Sequence, residues 1–288
     1  MKSRRQRKPF PKKKKPSTPH EKVQQTLEQA LGFHQSEDFD KAEQLYRHVL
    51  SLVPDNFDAL HLLGVIKNEK GQTREAYDLI TRAISTNPDN ANAYSNLGMV
   101  HHNLGDYPAA IQSYERARAL DPLNAFTLFN MGNAFFELNK PAEAVNAYHE
   151  ALRLNPDIFF ARKKLARSYL RLGETDKAAD VILQLIKTNP QFTAAYQGAE
   201  TSISNPQIFL ELLTDLGNAY DLSGKYVEAR QCFKRLDEIQ PYDLKHILRM
   251  LDIDWKTGAR DDARNYLRET FKRMSAKGRR DESEKTNS

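Results

Sequence analysis

The amino-acid sequence predicts an all-α fold, a right-handed superhelix of repeated two-helix units that is preceded by a disordered basic arm. Three observations predict it. Five prolines recur at an interval of 34 residues, small residues recur at fixed distances before each proline, and the first 20 residues hold nine Lys and Arg but no acid. A period of roughly 20 to 50 residues is typical of solenoids, whose units bury their apolar faces against one another. The prolines are Pro54, Pro88, Pro122, Pro156 and Pro190.

Each interval of the period predicts a helix, a turn, a second helix and a stop. Alanine stands 12 residues before each proline, and alanine or glycine stands 24 residues before it, where two helices that cross closely need small side chains. A residue that tolerates positive φ separates the two helices, and the proline ends the second one. The turn residues are Gly71, Gly105, Asn139 and Gly173. Large apolar residues four after each alanine fill the space between neighbours: Tyr46, Ile80, Tyr114, Tyr148 and Ile182.

This pattern resembles the tetratricopeptide repeat, a 34-residue unit with Gly or Ala, Tyr or Phe, Ala and Pro at these offsets. The segment NAYSNLGMVHHNLGDYPAAIQSYERARALDP, residues 92–122, matches it most closely. The resemblance implies five contiguous repeats over residues 22–190. Their starts are expected near Val23, Phe57, Ala91, Ala125 and Phe159.

The period changes after the fifth repeat, because the next matching proline is Pro241, 51 residues later. A sixth repeat fits from about Leu210, so residues 191–209 are predicted to be an irregular helical insertion. We expect an additional helix that ends near Ser202, followed by Asn205 as an N-cap with proline at the first helical position. The insertion is interpreted as a bend in the superhelix or as a functional element.

A degraded seventh unit follows from about Leu244, with Gly258 at its turn. Residues 210–275 therefore hold two further units, and the polar outer side of the last helix predicts a cap. The tail, residues 276–288, has almost no apolar residue and is predicted to be disordered.

Composition narrows the classes of function. The single cysteine, Cys232, excludes an internal disulfide framework and fits a reducing compartment. No run of apolar residues is long enough for a membrane span, and none follows the N-terminal charges as a signal peptide would require. We therefore predict a soluble intracellular protein, cytoplasmic, or nuclear in a eukaryotic cell because PKKKKP resembles an import signal.

The sequence contains no phosphate-binding loop, metalloprotease motif, paired-cysteine motif or nucleophile elbow. The adjacent pair His101–His102 has no acidic or cysteine partner at ligand spacing. We predict a protein without catalytic activity, cofactor or metal site.

The basic arm, residues 1–21, is the second informative segment. The rest of the chain has 34 Lys and Arg against 38 Asp and Glu, so the basic character belongs to the arm. Such segments contact nucleic acid or other polyanions by releasing counterions, and the alternative is a solubilising or self-docking tail. The candidate polyanion contacts are Arg4, Arg5, Arg7, Lys8, Lys12, Lys13, Lys14 and Lys15.

In the architecture that the resemblance implies, the first helix of each repeat lines the inner face. Its inward positions are the second, fifth, sixth, ninth, twelfth and thirteenth. They carry amides in the third repeat, amides with phenylalanines in the fourth, and basic residues in the fifth. An extended peptide would use the amides for its main chain, the rings for apolar side chains and the cations for acidic ones. The candidates are Asn96, His102, Phe126, Phe129, Asn130, Asn133, Phe136, Lys163, Lys164, Arg167 and Arg171.

Two more specific resemblances are incomplete. The carboxylate clamp of chaperone-binding members is not met, because Phe129 and Lys164 stand where the clamp needs other residues. The asparagine ladder of O-linked N-acetylglucosamine transferases is matched only by Asn96 and Asn130, and the glycosyltransferase domain is absent from the sequence.

The sequence thus predicts a scaffold that binds a partner protein or an extended peptide across repeats three to five. Two alternatives stay open. The first is a nucleic-acid-associated adaptor that uses the basic arm. The second is a detached regulatory arm of a separately encoded enzyme, such as a glycosyltransferase.

Overall fold

The computed structural model describes residues 18–198, 203 and 205–286, with side chains described as far as residue 275. All regular secondary structure in these residues is helical, which confirms the all-α class. The predicted disordered arm lies outside the described residues apart from its last four positions, which lie at the start of the first helix. The chain divides into two compact units, residues 1–121 and residues 122–288, and each is described by itself.

Unit 1 consists of three two-helix repeats. Its helices are α1 (Pro19–Gln35), α2 (Phe39–Leu52), α3 (Phe57–Glu69), α4 (Thr73–Thr86), α5 (Ala91–Asn103) and α6 (Tyr107–Leu120). An asparagine two residues after the repeat proline fixes the start of each next repeat, because the Asn56 and Asn90 side chains accept hydrogen bonds from the amides of Ala59 and Ala93.

Unit 2 contains four repeats and one short additional helix. Its helices are α7 (Ala125–Glu137), α8 (Pro141–Leu154), α9 (Phe159–Leu172), α10 (Thr175–Thr188), α11 (Pro190–Tyr196), α12 (Pro206–Leu222), α13 (Tyr226–Ile239), α14 (Leu244–Lys256) and α15 (Arg260–Thr286). The predicted turn residues adopt the left-handed conformation, with φ of 57° at Asn139 and 76° at Gly173. Such a φ strains most side chains, which explains glycine and asparagine at this position.

The two helices of one repeat pack through the small and large residues that define the period. The Tyr148 side chain is fully buried against Gly132, and a Cβ atom at residue 132 would lie 2.6 Å from its ring. Ile80 packs on Gly64 in the same way, with the corresponding distance also 2.6 Å. Glycine therefore allows the two helices to approach closely, as the spacing predicts.

The first helices of neighbouring repeats contact one another. These contacts join α1 to α3 and α3 to α5 in unit 1, and α7 to α9 and α9 to α12 in unit 2. No comparable contact joins the second helices of consecutive repeats among the described residues. Within each unit, the first helices therefore lie on the inner side.

The insertion differs in detail from its prediction. Its helix, α11, begins at Pro190 and has ended before Gly198, whose φ is 95°, so it is shorter than a helix reaching Ser202. Asn205 does occupy the N-cap position of α12, but its side chain makes no capping hydrogen bond. The buried rings of Phe192 and Phe209 lie 5.4 Å apart, so the insertion packs into the hydrophobic core of unit 2.

The predicted disordered tail is the clearest error. Helix α15 continues through Thr286, over most of residues 276–288. The tail contains no proline, and its Lys, Arg, Glu and Ala residues have high helix propensity, so the last helix is not interrupted. Among the described residues, no helix has both the length and the apolar character that a membrane span requires.

Candidate functional site

Polar side chains on the inner side of unit 1 bond to one another between repeats. The amide Nδ2 of Asn96 lies 2.8 Å from Nε2 of His61, and Nδ2 of Asn103 donates to Oδ1 of Asn68 at 3.1 Å. Both pairs are 35 residues apart and therefore link α3 to α5. Burial lowers the pKa of His61, which favours the neutral ring that accepts from Asn96. Asn96, predicted to contact a peptide, is thus already engaged.

The predicted inner-face residue His102 packs within unit 1. Its ring lies 5.2 Å from the Tyr107 ring at the start of α6, in an edge-to-face arrangement. The neighbouring His101 instead packs edge-on against Tyr77 of α4, 5.5 Å away. Among the described residues, no group of three or more His, Cys, Asp or Glu side chains is placed to hold a metal ion.

The three candidate phenylalanines of α7 differ in accessibility. Phe126 is 60% exposed. Phe129 is half-buried, with its ring 6.0 Å from that of Tyr148. Phe136 is only 7% exposed, because the Arg171 guanidinium lies 3.5 Å from its ring centroid. Only the first two of these rings are available to a ligand.

The two candidate amides of α7 also differ. The Tyr148 hydroxyl donates to Oδ1 of Asn133 at 2.8 Å, so this amide supports the core of its own repeat. Asn130 is half-buried, and no hydrogen-bond partner of its side chain is found among the described residues. Asn130 is therefore the amide that a bound peptide would find open.

Two of the four predicted basic residues of α9 form ion pairs with α12. Nζ of Lys163 lies 2.5 Å from Oε2 of Glu211, and Nε of Arg167 lies 2.7 Å from Oδ2 of Asp215. The hydrogen bond from Lys163 lowers the pKa of Glu211, whereas burial raises the pKa of Asp215 despite its contact with Arg167. These two cations are therefore neutralised within unit 2.

The other two basic residues of α9 lie around Phe136. Nη1 of Arg171 donates to the main-chain oxygen of Phe136 at 2.5 Å. Nζ of Lys164 lies 5.0 Å from the Phe136 ring centroid and 3.9 Å from Oε1 of Glu137. Burial lowers the pKa of Lys164, and the neighbouring cations act in the same direction while Glu137 opposes them.

Sequence reasoning missed a cavity of about 670 Å³ in unit 2, on the inner side of the last repeats. Leu210 and Phe233 line it together with Arg167 and Asp215, and the 63% exposed Leu248 lies at it. Its position depends on the insertion, because α12 follows α9 after 48 residues in the ion pairs rather than after one period. One signal was present, since acids at inner positions of the sixth repeat match cations of the fifth.

Comparisons with known proteins agree with this geometry. Four family models described as the tetratricopeptide repeat match residues 33–97, 89–157, 129–192 and 210–243. Together they cover more than half of the chain. No curated protein matches the sequence significantly.

Solved structures with the same fold include three bacterial-type repeat proteins of low sequence identity. PilF of Pseudomonas aeruginosa has a TM-score of 0.61 at 20% identity, over 79% of this chain and 96% of that one. MamA has a TM-score of 0.53 at 21% identity, over 64% and 98%. YrrB, described as a TPR protein with an unusual peptide-binding site, has a TM-score of 0.58 at 15% identity, over 70% and 95%. At these identities the likeness shows the fold alone.

Proposed function

This chain belongs to the tetratricopeptide repeat family, and we propose that it is a non-catalytic scaffold that binds an extended segment of a partner protein. The segment lies on the inner side of α7 and α9, the first helices of repeats four and five. This proposal is narrower than the one that the sequence suggests, because Asn96 and His102 are engaged within unit 1.

One observation carries the proposal: two phenylalanines at the same position of neighbouring repeats are exposed. Phe126 is 60% exposed and Phe160 is 55% exposed, and both are the second residue of their first helix. A soluble surface seldom keeps large apolar side chains grouped without a ligand. Neighbouring packed helices lie about 8–10 Å apart. An extended peptide advances about 3.3 Å per residue, so apolar side chains three residues apart match that spacing.

The free amide of Asn130 completes this surface. Residues 126 and 130 are four apart on α7 and therefore share one face of the helix. An asparagine side chain can both donate to and accept from a peptide main chain, whatever the peptide sequence. We therefore assign Asn130 to the main chain of the partner, and Phe126, Phe160 and the half-buried Phe129 to its apolar side chains.

The partner segment need not be acidic. Lys163 and Arg167 already pair with Glu211 and Asp215, and a carboxylate of the partner would have to displace those contacts. Arg171 is held against Phe136. The accessible features of α7 and α9 are apolar rings and an amide, which fit an uncharged, apolar segment best. The peptide-binding site for which YrrB is described agrees with this class of ligand.

The experiment is affinity capture with quantitative mass spectrometry, using a Phe126→Ser/Phe160→Ser double variant and an Asn130→Ala variant. The matched control is Leu123→Ser/Val227→Ser, which removes two similarly exposed apolar side chains that lie outside the first helices. A true partner is expected to fall at least about tenfold with the double variant and to stay with the control. Equal capture of the same partners by the double variant and by the wild type would overturn the proposal.

A further inference from the structure

The inner side of unit 1 carries acidic and apolar side chains but no cation. None of its inward positions, six in each of three repeats, is Lys or Arg. Three of them are carboxylates, Glu28, Asp58 and Glu69, and all three are exposed. Each stands on a different part of α1 or α3, so the negative charge is spread along this face.

These three carboxylates do not pair with a Lys or Arg among the described residues, unlike others of the same unit. Glu28 accepts a hydrogen bond only from Gln24, at 3.3 Å. By contrast, Glu43 of α2 lies 2.6 Å from Nζ of Lys67 and 3.1 Å from Nζ of Lys70. The cations of unit 1 are therefore used elsewhere, and its inner side keeps an unneutralised negative field.

An apolar stripe runs between these carboxylates. Leu31 on α1 is 40% exposed and Met99 on α5 is 39% exposed, while Leu62 and Val65 of α3 between them are half-buried. Because α1 contacts α3 and α3 contacts α5, the stripe is continuous across three first helices. We call the stripe and its three carboxylates the unit 1 face.

We propose that the basic N-terminal arm of this chain, residues 1–17, docks on the unit 1 face. The arm holds nine Lys and Arg and no acid, and Phe10 is its only aromatic residue. Residues 18–121 hold 15 Asp and Glu against nine Lys and Arg, so the charges of the two parts are complementary. The aromatic ring of Phe10 covers part of the apolar stripe.

The position of the arm permits this docking within one molecule. The arm ends at Thr18, which caps α1 by accepting a hydrogen bond from the amide of Glu21 at 3.2 Å. Seventeen residues reach at most about 55–60 Å when extended. Three first helices at about 8–10 Å spacing are only about 20 Å across. A tethered segment of this length also has a high effective concentration at the face.

The docked arm has a functional consequence. It occupies the inner side of repeats one to three and keeps other basic segments away from it. A polyanion that binds the arm would uncover the unit 1 face, so the arm couples polyanion binding to access by a second ligand. This inference does not depend on the proposed partner site, which lies on α7 and α9.

The test uses the full chain with one added thiol, Phe10→Cys. The native thiol of Cys232 is buried, and burial raises its pKa to about 12, so a maleimide photocrosslinker will attach at residue 10. After irradiation at low salt, mass spectrometry is expected to find crosslinks to α1, α3 or α5 within one molecule. At 0.5 M salt the yield should fall at least about fivefold, because the Debye length drops to about 4 Å.

A charge-matched pair of variants separates docking from general attraction. Asp58→Asn/Glu69→Gln removes two charges from the unit 1 face and should lower the crosslink yield at least about threefold. Asp78→Asn/Glu115→Gln removes two exposed charges from second helices and should leave the yield within about a third of the parent value. The Phe126→Ser/Phe160→Ser variant should not change the crosslinks.

Several results would overturn the inference. Crosslinks that form mainly between two copies would assign the arm to self-association. Crosslinks only to co-purified nucleic acid would assign it to that ligand instead. Crosslinks scattered over second helices, or equally reduced by both charge variants, would show that the arm has no preferred face.

Discussion

The inner sides of the two units are built from the same positions of the same repeat but differ in how their charges are satisfied. In unit 1 the three inward carboxylates have no cationic partner among the described residues, and hydrogen bonds between uncharged side chains link the helices. In unit 2 cations and carboxylates are more numerous and pair across repeats, as Arg167 does with Asp215. One scaffold therefore yields an open, acidic surface and a self-neutralised one, and charge content alone does not predict which is free to bind.

The largest expected effect concerns the ion pairs of unit 2. Arg167→Met should destabilise the protein by about 2 kcal/mol, because it leaves the largely buried carboxylate of Asp215 without its partner. Adding Asp215→Asn should recover most of that loss. Urea unfolding followed by circular dichroism measures the free energy, and the reaction of Cys232 with a thiol reagent reports the opening of unit 2. A double variant no more stable than Arg167→Met would contradict the pairing.

The pH dependence of unit 1 should follow Glu43. Burial alone would raise its pKa, but hydrogen bonds from Lys67, Lys70 and Arg47 hold it at about 2. Since this lies below the unfolded value of about 4.3, the carboxylate stabilises at neutral pH and the stabilisation is lost as pH falls toward 2. Glu43→Gln should cost about 2 kcal/mol at pH 7 and about 1 kcal/mol at pH 3, by urea unfolding. A constant difference between pH 7 and pH 3 would contradict this assignment.

Asp215 supplies the opposite sign in unit 2. Burial raises its pKa above the unfolded value, so the contribution from its protonated form is present at low pH and lost as pH rises. Relative to the wild type, Asp215→Asn should therefore be most favourable at pH 7 and less favourable at pH 3. The same unfolding series measures it, and a trend parallel to that of Glu43→Gln would show that the two units are not distinguished in this way.

A smaller effect compares two buried tyrosines at the same repeat position. Tyr148→Phe in unit 2 should cost about 1 kcal/mol, because it breaks the hydrogen bond to Asn133. The Tyr46 hydroxyl in unit 1 is buried without a hydrogen-bond partner among the described residues, so Tyr46→Phe should be neutral or slightly stabilising. Thermal unfolding of the two variants provides the comparison, and equal losses would contradict it.

The smallest expected effect is on the stability of unit 1 when its inner charges are removed. Asp58→Asn/Glu69→Gln should change the free energy of unfolding by less than about 0.5 kcal/mol, since neither carboxylate is held by a cation. Denaturant unfolding at low salt measures the change. A loss above 1 kcal/mol would mean that these carboxylates are structural.

The period predicts most of the fold because it encodes local geometry. The small residue at 132 and the tyrosine at 148 specify a close helix crossing, and Gly173 specifies a left-handed turn. The tail was misread because low hydrophobicity was given more weight than helix propensity, although both act on the same residues.

The candidate site was harder to predict because its contacts depend on three-dimensional pairing. A phenylalanine at residue 126 and one at residue 136 look equivalent in the sequence, yet only the second is covered by Arg171. The pairing of Lys163 with Glu211 crosses the insertion, where the period no longer gives the register. The links at 35 residues, such as that between Asn68 and Asn103, are regular and were available to sequence reasoning.

Amide chemical-shift mapping of the chain lacking residues 2–16, with hexalysine and with hexaglutamate as probes, tests most directly whether the two inner sides differ in availability. Hexalysine is expected to shift amides around Asp58, Glu69 and Asn92, with the shifts lost at high salt. Hexaglutamate is expected to leave the amides around Lys163 and Arg167 unchanged. Shifts by hexaglutamate along α9, or none by hexalysine on α1, α3 and α5, would contradict the account.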